Sequence, residues 1–144
     1  MPSAVLDASA LLALLLGEPG AAVVRAALAD AAMSTVNLAE VVGHYARRGA
    51  AREGIAGLLG PLPVAYVAPD AALAYDAGLL IVATRSAGLS PGDRTCLALA
   101  RRLGVPAFMA ERRWADVARA AGVEVRLIRQ GGHAGRGGCR AGRA

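Results

Sequence analysis

The sequence predicts an α/β domain: a doubly wound, mostly parallel sheet with helices on both faces. Strand-length apolar segments alternate with helical stretches along the whole chain. The segments at 4–6 and 105–110 are apolar enough to be covered on both faces, as parallel strands are. A length of 144 residues suits one domain with a real core. With 56% apolar and only 3% aromatic residues, that core must be Ala, Leu and Val.

The elements follow in order. AVL (4–6) is a short strand ending at Asp7. ASALLALLLG is a helix stopped by Gly17, and EPGAAVVRAALADA restarts a helix with Pro19 near its first turn. AMS (32–34) is a very short strand. Ser34 or Thr35 caps the helix TVNLAEVVGHYARRG, which closes near Gly49. REGIAGLLG is a further helix, and PVAYVA (63–68) has the Val/Tyr content of a strand. Pro69 and Asp70 open one long helix running to Gly88. The turn LSPGD leads into the helix RTCLALARRLG, then the buried strand VPAFMA ends at Glu111. RRWADVARAAG is a helix, and VEVRLI alternates as a last strand. The folded domain is expected over 1–129. Residues 130–144, Gly/Arg-rich and without apolar periodicity, are expected to be a disordered tail.

All 16 basic residues are Arg, with no Lys. Residues 1–129 carry 13 Arg against 11 acids, and the tail carries three Arg and no acid. The domain is therefore only mildly basic, and nucleic-acid binding would need a local patch. The absence of Lys excludes a P-loop nucleotide-binding site and pyridoxal-phosphate chemistry. The turn after the first strand, DASALL, has no Gly, which excludes a dinucleotide fingerprint. Cys96 and Cys139 form no zinc-type spacing, and Cys96 reads as a buried reduced thiol in a cytoplasmic protein. LLALLL lacks a basic flank and is too short to span a membrane, so no membrane role is expected.

Four acids stand where strands end or helices begin. Asp7 ends the first strand and Glu111 the fourth. Asp93 opens a helix, where the dipole favours an anion, and Glu40 lies one turn into the helix after the second strand. In open α/β sheets, sites form beyond the carboxyl ends of the strands. Converging carboxylates repel one another, and a divalent cation removes the conflict. Oxygen-only ligands suit Mg²⁺ or Mn²⁺, an ion that activates water against phosphates. Each acid alone also has a structural reading: Asp7 as a helix N-cap, Asp93 as a first-turn acid, Glu40 and Glu111 as solvated residues.

As a set, VLDASALLALLLGEPG, STVNLAEVVGHYARRG, LSPGDRTCLALARRLGVPAF and ERRWADV resemble the PIN-domain ribonucleases, most closely the VapC-type toxins of toxin–antitoxin modules. The resemblance covers residues 3–129. It implies a PIN-like doubly wound fold and metal-dependent endonucleolytic cleavage of RNA. It also implies a cognate antitoxin that blocks the groove, and a homodimer. Asp7, Glu40 and Asp93 would be the first three acids of the metal site, with Ser9 supporting the first and Asn37 neighbouring the second. Where the family reads Thr-Ala-Asp after the fourth strand, this chain reads Met109-Ala110-Glu111. Asp116 is a substitute fourth ligand if the longer Glu111 arm fails, though it reads as an exposed helical residue. Arg94, Arg112 and Arg113 flank the acids as candidate contacts to RNA phosphates. Glu40 and His44 stand at i, i+4, where His44 reads as a surface residue. Trp114 reads as packing against the sheet. The rival function is a PIN-like scaffold that binds RNA or a partner protein without cutting, which Glu111 in place of Asp favours.

Overall fold

The computed structural model describes residues 1–129. The expected tail, including Cys139, lies outside them. Five short strands form one parallel sheet in the order β3-β2-β1-β4-β5: β1 (Ala4–Leu6), β2 (Ala31–Ser34), β3 (Ala65–Val67), β4 (Ala107–Met109) and β5 (Val125–Leu127). The chain winds outward from β1 to β3, then crosses back to the far side of β1 for β4 and β5. The switch point therefore lies between β1 and β4, where Val5 pairs with Ala107 and Leu6 with Phe108.

Both faces are covered, as the apolar strands require. On one face Ala4, Leu6, Met33 and Phe108 pack with α1 (Ala8–Leu15), α2 (Ala21–Ala27), α3 (Thr35–Ala46) and α4 (Arg52–Leu59). On the other, Val5, Ala32, Ala107 and Met109 pack with α5 (Ala71–Leu79), α7 (Pro91–Leu103) and α8 (Ala115–Ala121). The alternation along β1 and β4 is the strand period of two, with apolar residues on both sides. Trp114 is 1% exposed and belongs to the second core, as its place before an amphipathic helix predicts. Cys96 is a buried free thiol in the same core.

Several expected boundaries differ, among them the helix expected from Arg112, which opens as a 3₁₀ turn over Arg112–Trp114 and becomes α8 at Ala115. The long helix over 69–88 is broken into α5, α6 (Ile81–Thr84) and a 3₁₀ turn over Arg85–Ala87. The break turns Leu80 and Thr84 inward, and the Thr84 hydroxyl donates to the Leu80 carbonyl at 2.8 Å. The helix expected from Pro19 starts later, at Ala21, after Gly20 at φ +95°. A Cβ at Gly20 would lie 2.7 Å from the Ile128 carbonyl oxygen, so β5 requires both the turn and the bare backbone. Last, α7 starts at Pro91 rather than at Arg94. Ser90 caps it, Pro91 takes the first turn, and the Asp93 side chain completes a capping box with the Ser90 N–H.

Candidate metal centre

Each acid is delivered by a local rule of chain geometry. Asp7 leaves β1 in extended conformation and caps α1, its Oδ1 accepting from the Ala10 N–H at 2.8 Å. The Ser9 hydroxyl bridges both carboxylate oxygens, at 2.7 and 2.8 Å, and accepts from the Ala110 N–H at 3.0 Å. One serine thus ties the end of β1 to the end of β4, across the switch point. The cap reading of Asp7 is what the structure shows.

Glu40 is set by Asn37, which is fully buried. Its Nδ2 donates to Glu40 Oε2 and to the Gly92 carbonyl, both at 3.2 Å, while its Oδ1 accepts from Ser34 at 2.8 Å. Asn37 therefore locks the start of α3 to the start of α7. Gly92 faces Glu40 so closely that a Cβ there would lie 2.0 Å from Oε1. A side chain at this position would force that carboxylate to shift.

Asp93 sits at the third position of α7, its Oδ2 accepting from the Ser90 N–H at 2.9 Å. Glu111, half-exposed after β4, pairs with Arg113 Nε at 2.7 Å, and Arg113 also lies 3.8 Å from Asp93 Oδ2.

The acids influence one another. Burial pushes the Asp7 carboxyl up to about 7, against the lowering hydrogen bonds from Ser9 and the Ala10 N–H, with the Asp93 and Glu111 charges adding to the rise. Burial also raises Glu40, opposed by Asn37 and helped by Asp93. Cys96 lies beneath the group: burial pushes its thiol well up, and the charges of Asp7, Asp93 and Glu40 push it further.

These residues fit a hard divalent cation. The donors are carboxylate oxygens, and the backbone at Gly92 is cleared for one of them. As the side chains stand, no three Asp, Glu, His or Cys residues close into a ligand set among the described residues. Asp93 and Glu111 are engaged by the Ser90 N–H and by Arg113.

The remaining candidates separate. Arg94 NH1 donates to the Leu89 carbonyl at 2.7 Å, and its Nε is buried without a partner. Arg112 is exposed, and Asp116 is exposed on α8 as expected. His44 faces Arg48 at 3.3 Å and stacks edge-on with Tyr45. Sequence reasoning missed the roles of Ser90 and Gly92. The run Ser-Pro-Gly-Asp carries the capping signal for the first, but nothing local marks the second.

A doubly wound α/β domain with acids at its switch point is what the fold and the site define. The family model for the PIN domain matches residues 4–120, and the chain belongs to the PIN-domain family. No curated protein matches it by sequence. Among solved structures, the DNA-bound VapBC of Salmonella typhimurium is similar at TM-score 0.67 and 14% identity, over 89% of this chain and 99% of that chain. A toxin–antitoxin complex from Klebsiella pneumoniae aligns at TM-score 0.66 and 17% identity, over 88% of this chain and 98% of that one. FitAcB from Neisseria gonorrhoeae aligns at TM-score 0.61 and 17% identity, over 87% and 97%. At these identities the likeness is one of fold.

Proposed function

We propose that this chain is the toxin component of a toxin–antitoxin module, a cytoplasmic Mg²⁺- or Mn²⁺-dependent endoribonuclease that hydrolyses RNA with water. The observation supporting the reading is that the acids act on one another, Asp7 with Asp93 and Glu111, and Glu40 with Asp93, with Gly92 bare beneath the Glu40 carboxylate. Membership of the PIN-domain family supports a nuclease. The solved structures that share the fold include toxin–antitoxin complexes, which supports an antitoxin partner.

The four acids would hold the ion, which when bound supplies charge neutralisation at the phosphate and a more acidic water. The protein contributes preorganisation. Ser9 and the Ala10 N–H fix the Asp7 carboxylate, and Asn37 fixes Glu40. Arg112 and Arg113, both exposed and next in sequence to Glu111, would take phosphate oxygens as charge-assisted hydrogen bonds. With water as nucleophile, the products carry a 5′-phosphate and a 3′-hydroxyl.

Two surfaces support partners. An apolar groove of about 500 Å³ between α3 and α4, lined by Leu38, Val42, Ile55 and Leu59, suits an apolar segment of an antitoxin. Tyr75 and Leu79 on α5 and Val82 on α6 are 76%, 68% and 70% exposed, apolar surface suited to a second copy. Among the described residues no helix is long and apolar enough to cross a membrane.

The test incubates purified protein with mixed RNA in Mn²⁺ and in EDTA. Cleavage in Mn²⁺, none in EDTA, and none by a folded Asp7→Asn variant is the expected outcome. RNA binding without cleavage in any divalent metal would leave the non-cutting scaffold as the better account.

A further inference from the structure

Among the described residues, Arg113 is the guanidinium that pairs with acids of the proposed centre, and it sits on two of them, Glu111 and Asp93. Arg113 Nε holds Glu111 Oε2 at 2.7 Å, and NH2 lies 3.8 Å from Asp93 Oδ2. Its side chain is about half-exposed, while the next residue, Trp114, is buried in the core. The backbone turn is therefore anchored, and the side chain above it is free to swing. Arg112, its neighbour, is exposed and stands outside this pairing.

We infer that Arg113 is an internal counter-cation that exchanges partners: it holds Glu111 and Asp93 while the centre is empty and yields them when a divalent cation binds. The inference rests on the proposed metal centre. A guanidinium keeps its charge at any working pH, so it cannot give way by losing a proton. It gives way by moving. A doubly charged ion approaches a carboxylate oxygen to about 2.0–2.1 Å, closer than a guanidinium can, and so wins the competition for Glu111. The displaced fork of N–H donors then faces the groove, where an RNA phosphate offers the next bidentate acceptor.

The exchange has a signature separate from cleavage. Mn²⁺ is titrated calorimetrically into the full chain, its Arg113→Gln variant and Arg112→Gln. Thermal melting is followed for all three in EDTA and in saturating Mn²⁺. Removing a unit charge several ångströms from a divalent ion should tighten Mn²⁺ binding about three- to tenfold in Arg113→Gln. That variant should melt below the parent in EDTA, where its acids have lost their cation, and the deficit should close in Mn²⁺. Arg112→Gln should match the parent in both measurements. Arg113→Lys, which keeps the charge, should return affinity to within about twofold of the parent. Equal or weaker Mn²⁺ binding by Arg113→Gln overturns the exchange and makes Arg113 a support for the ligands. No heat of Mn²⁺ binding in the parent sinks the metal centre itself, and the exchange with it.

Discussion

Replacing Gly92 by Ala tests the centre at its tightest point. In an ordinary helix this change stabilises by about 0.5–1 kcal/mol, because Gly loses the most backbone freedom on folding. Here the added Cβ would stand 2.0 Å from Glu40 Oε1 and 2.8 Å from its carboxyl carbon. Ordinary contact begins at 3.4 Å, so the carboxylate must retreat by roughly 1.4 Å. Retreat breaks the 3.2 Å hydrogen bond from Asn37, a charge-assisted bond worth about 1.5–3 kcal/mol. Loss outweighs gain, leaving a net destabilisation of about 0.5–2.5 kcal/mol and a melting temperature lower by a few degrees. Function should suffer far more. A displacement of about 1 Å at a reacting centre can cost a hundredfold, and here the displaced group is a proposed ligand. RNA cleavage should fall at least about a hundredfold, and calorimetric Mn²⁺ affinity should fall with it. Gly57→Ala is the control: a Cβ there meets nothing within 4 Å, so it should stabilise slightly and leave cleavage unchanged. If Gly92→Ala cuts RNA and binds Mn²⁺ like the parent, Glu40 is not a ligand and the reasoning fails.

Three further outcomes are expected. The Asp7 carboxyl is raised from 3.8 to about 7, so the folded state holds its proton longer than the unfolded chain does. Metal-free stability should therefore be full below about pH 4 and fall as pH rises to about 7, by up to about 4 kcal/mol. In EDTA at pH 8, Asp7→Asn should melt above the parent, with the two converging near pH 4, and parallel pH–melting curves would contradict this. Asn37→Ala removes the acceptor of the buried Ser34 O–H and the side-chain donor to the Gly92 carbonyl and to Glu40, and should cost about 1–3 kcal/mol, read by urea denaturation. Leu79→Glu puts a charge into the exposed apolar surface of α5 and should turn a dimer into a monomer in sedimentation, with melting little changed because Leu79 is 68% exposed.

The order of strands and helices was legible because the first four strands are short apolar runs, VEVRLI alternates, and acids, Gly or Pro stand at most of their ends. Asp7 and Asp93 were legible for a related reason: a carboxylate where a greasy strand stops, or after Ser-Pro-Gly, occupies a place that chain geometry explains. What could not be read depends on distant partners. Gly92 is required by Glu40, and the Ser9 hydroxyl acquires its second role only when Ala110 arrives beside it. The break at Leu80 was hidden because Leu79-Leu80-Ile81-Val82 is apolar all round and carries no capping residue. Burial of Leu80 and Thr84 places it there, which is a tertiary effect. The pairing of Arg113 with two acids likewise needed coordinates, since the sequence offered three arginines without ranking them.

The bond from the Ala110 N–H to the Ser9 hydroxyl joins residues 101 positions apart. During synthesis the chain makes Asp7 and Glu40 early, but β1 must wait at the middle of an unfinished sheet until β4 leaves the ribosome. Until then Asp7 has no fixed neighbour on one side, and Glu111 does not yet exist. The four acids therefore come together only once nearly the whole domain has emerged.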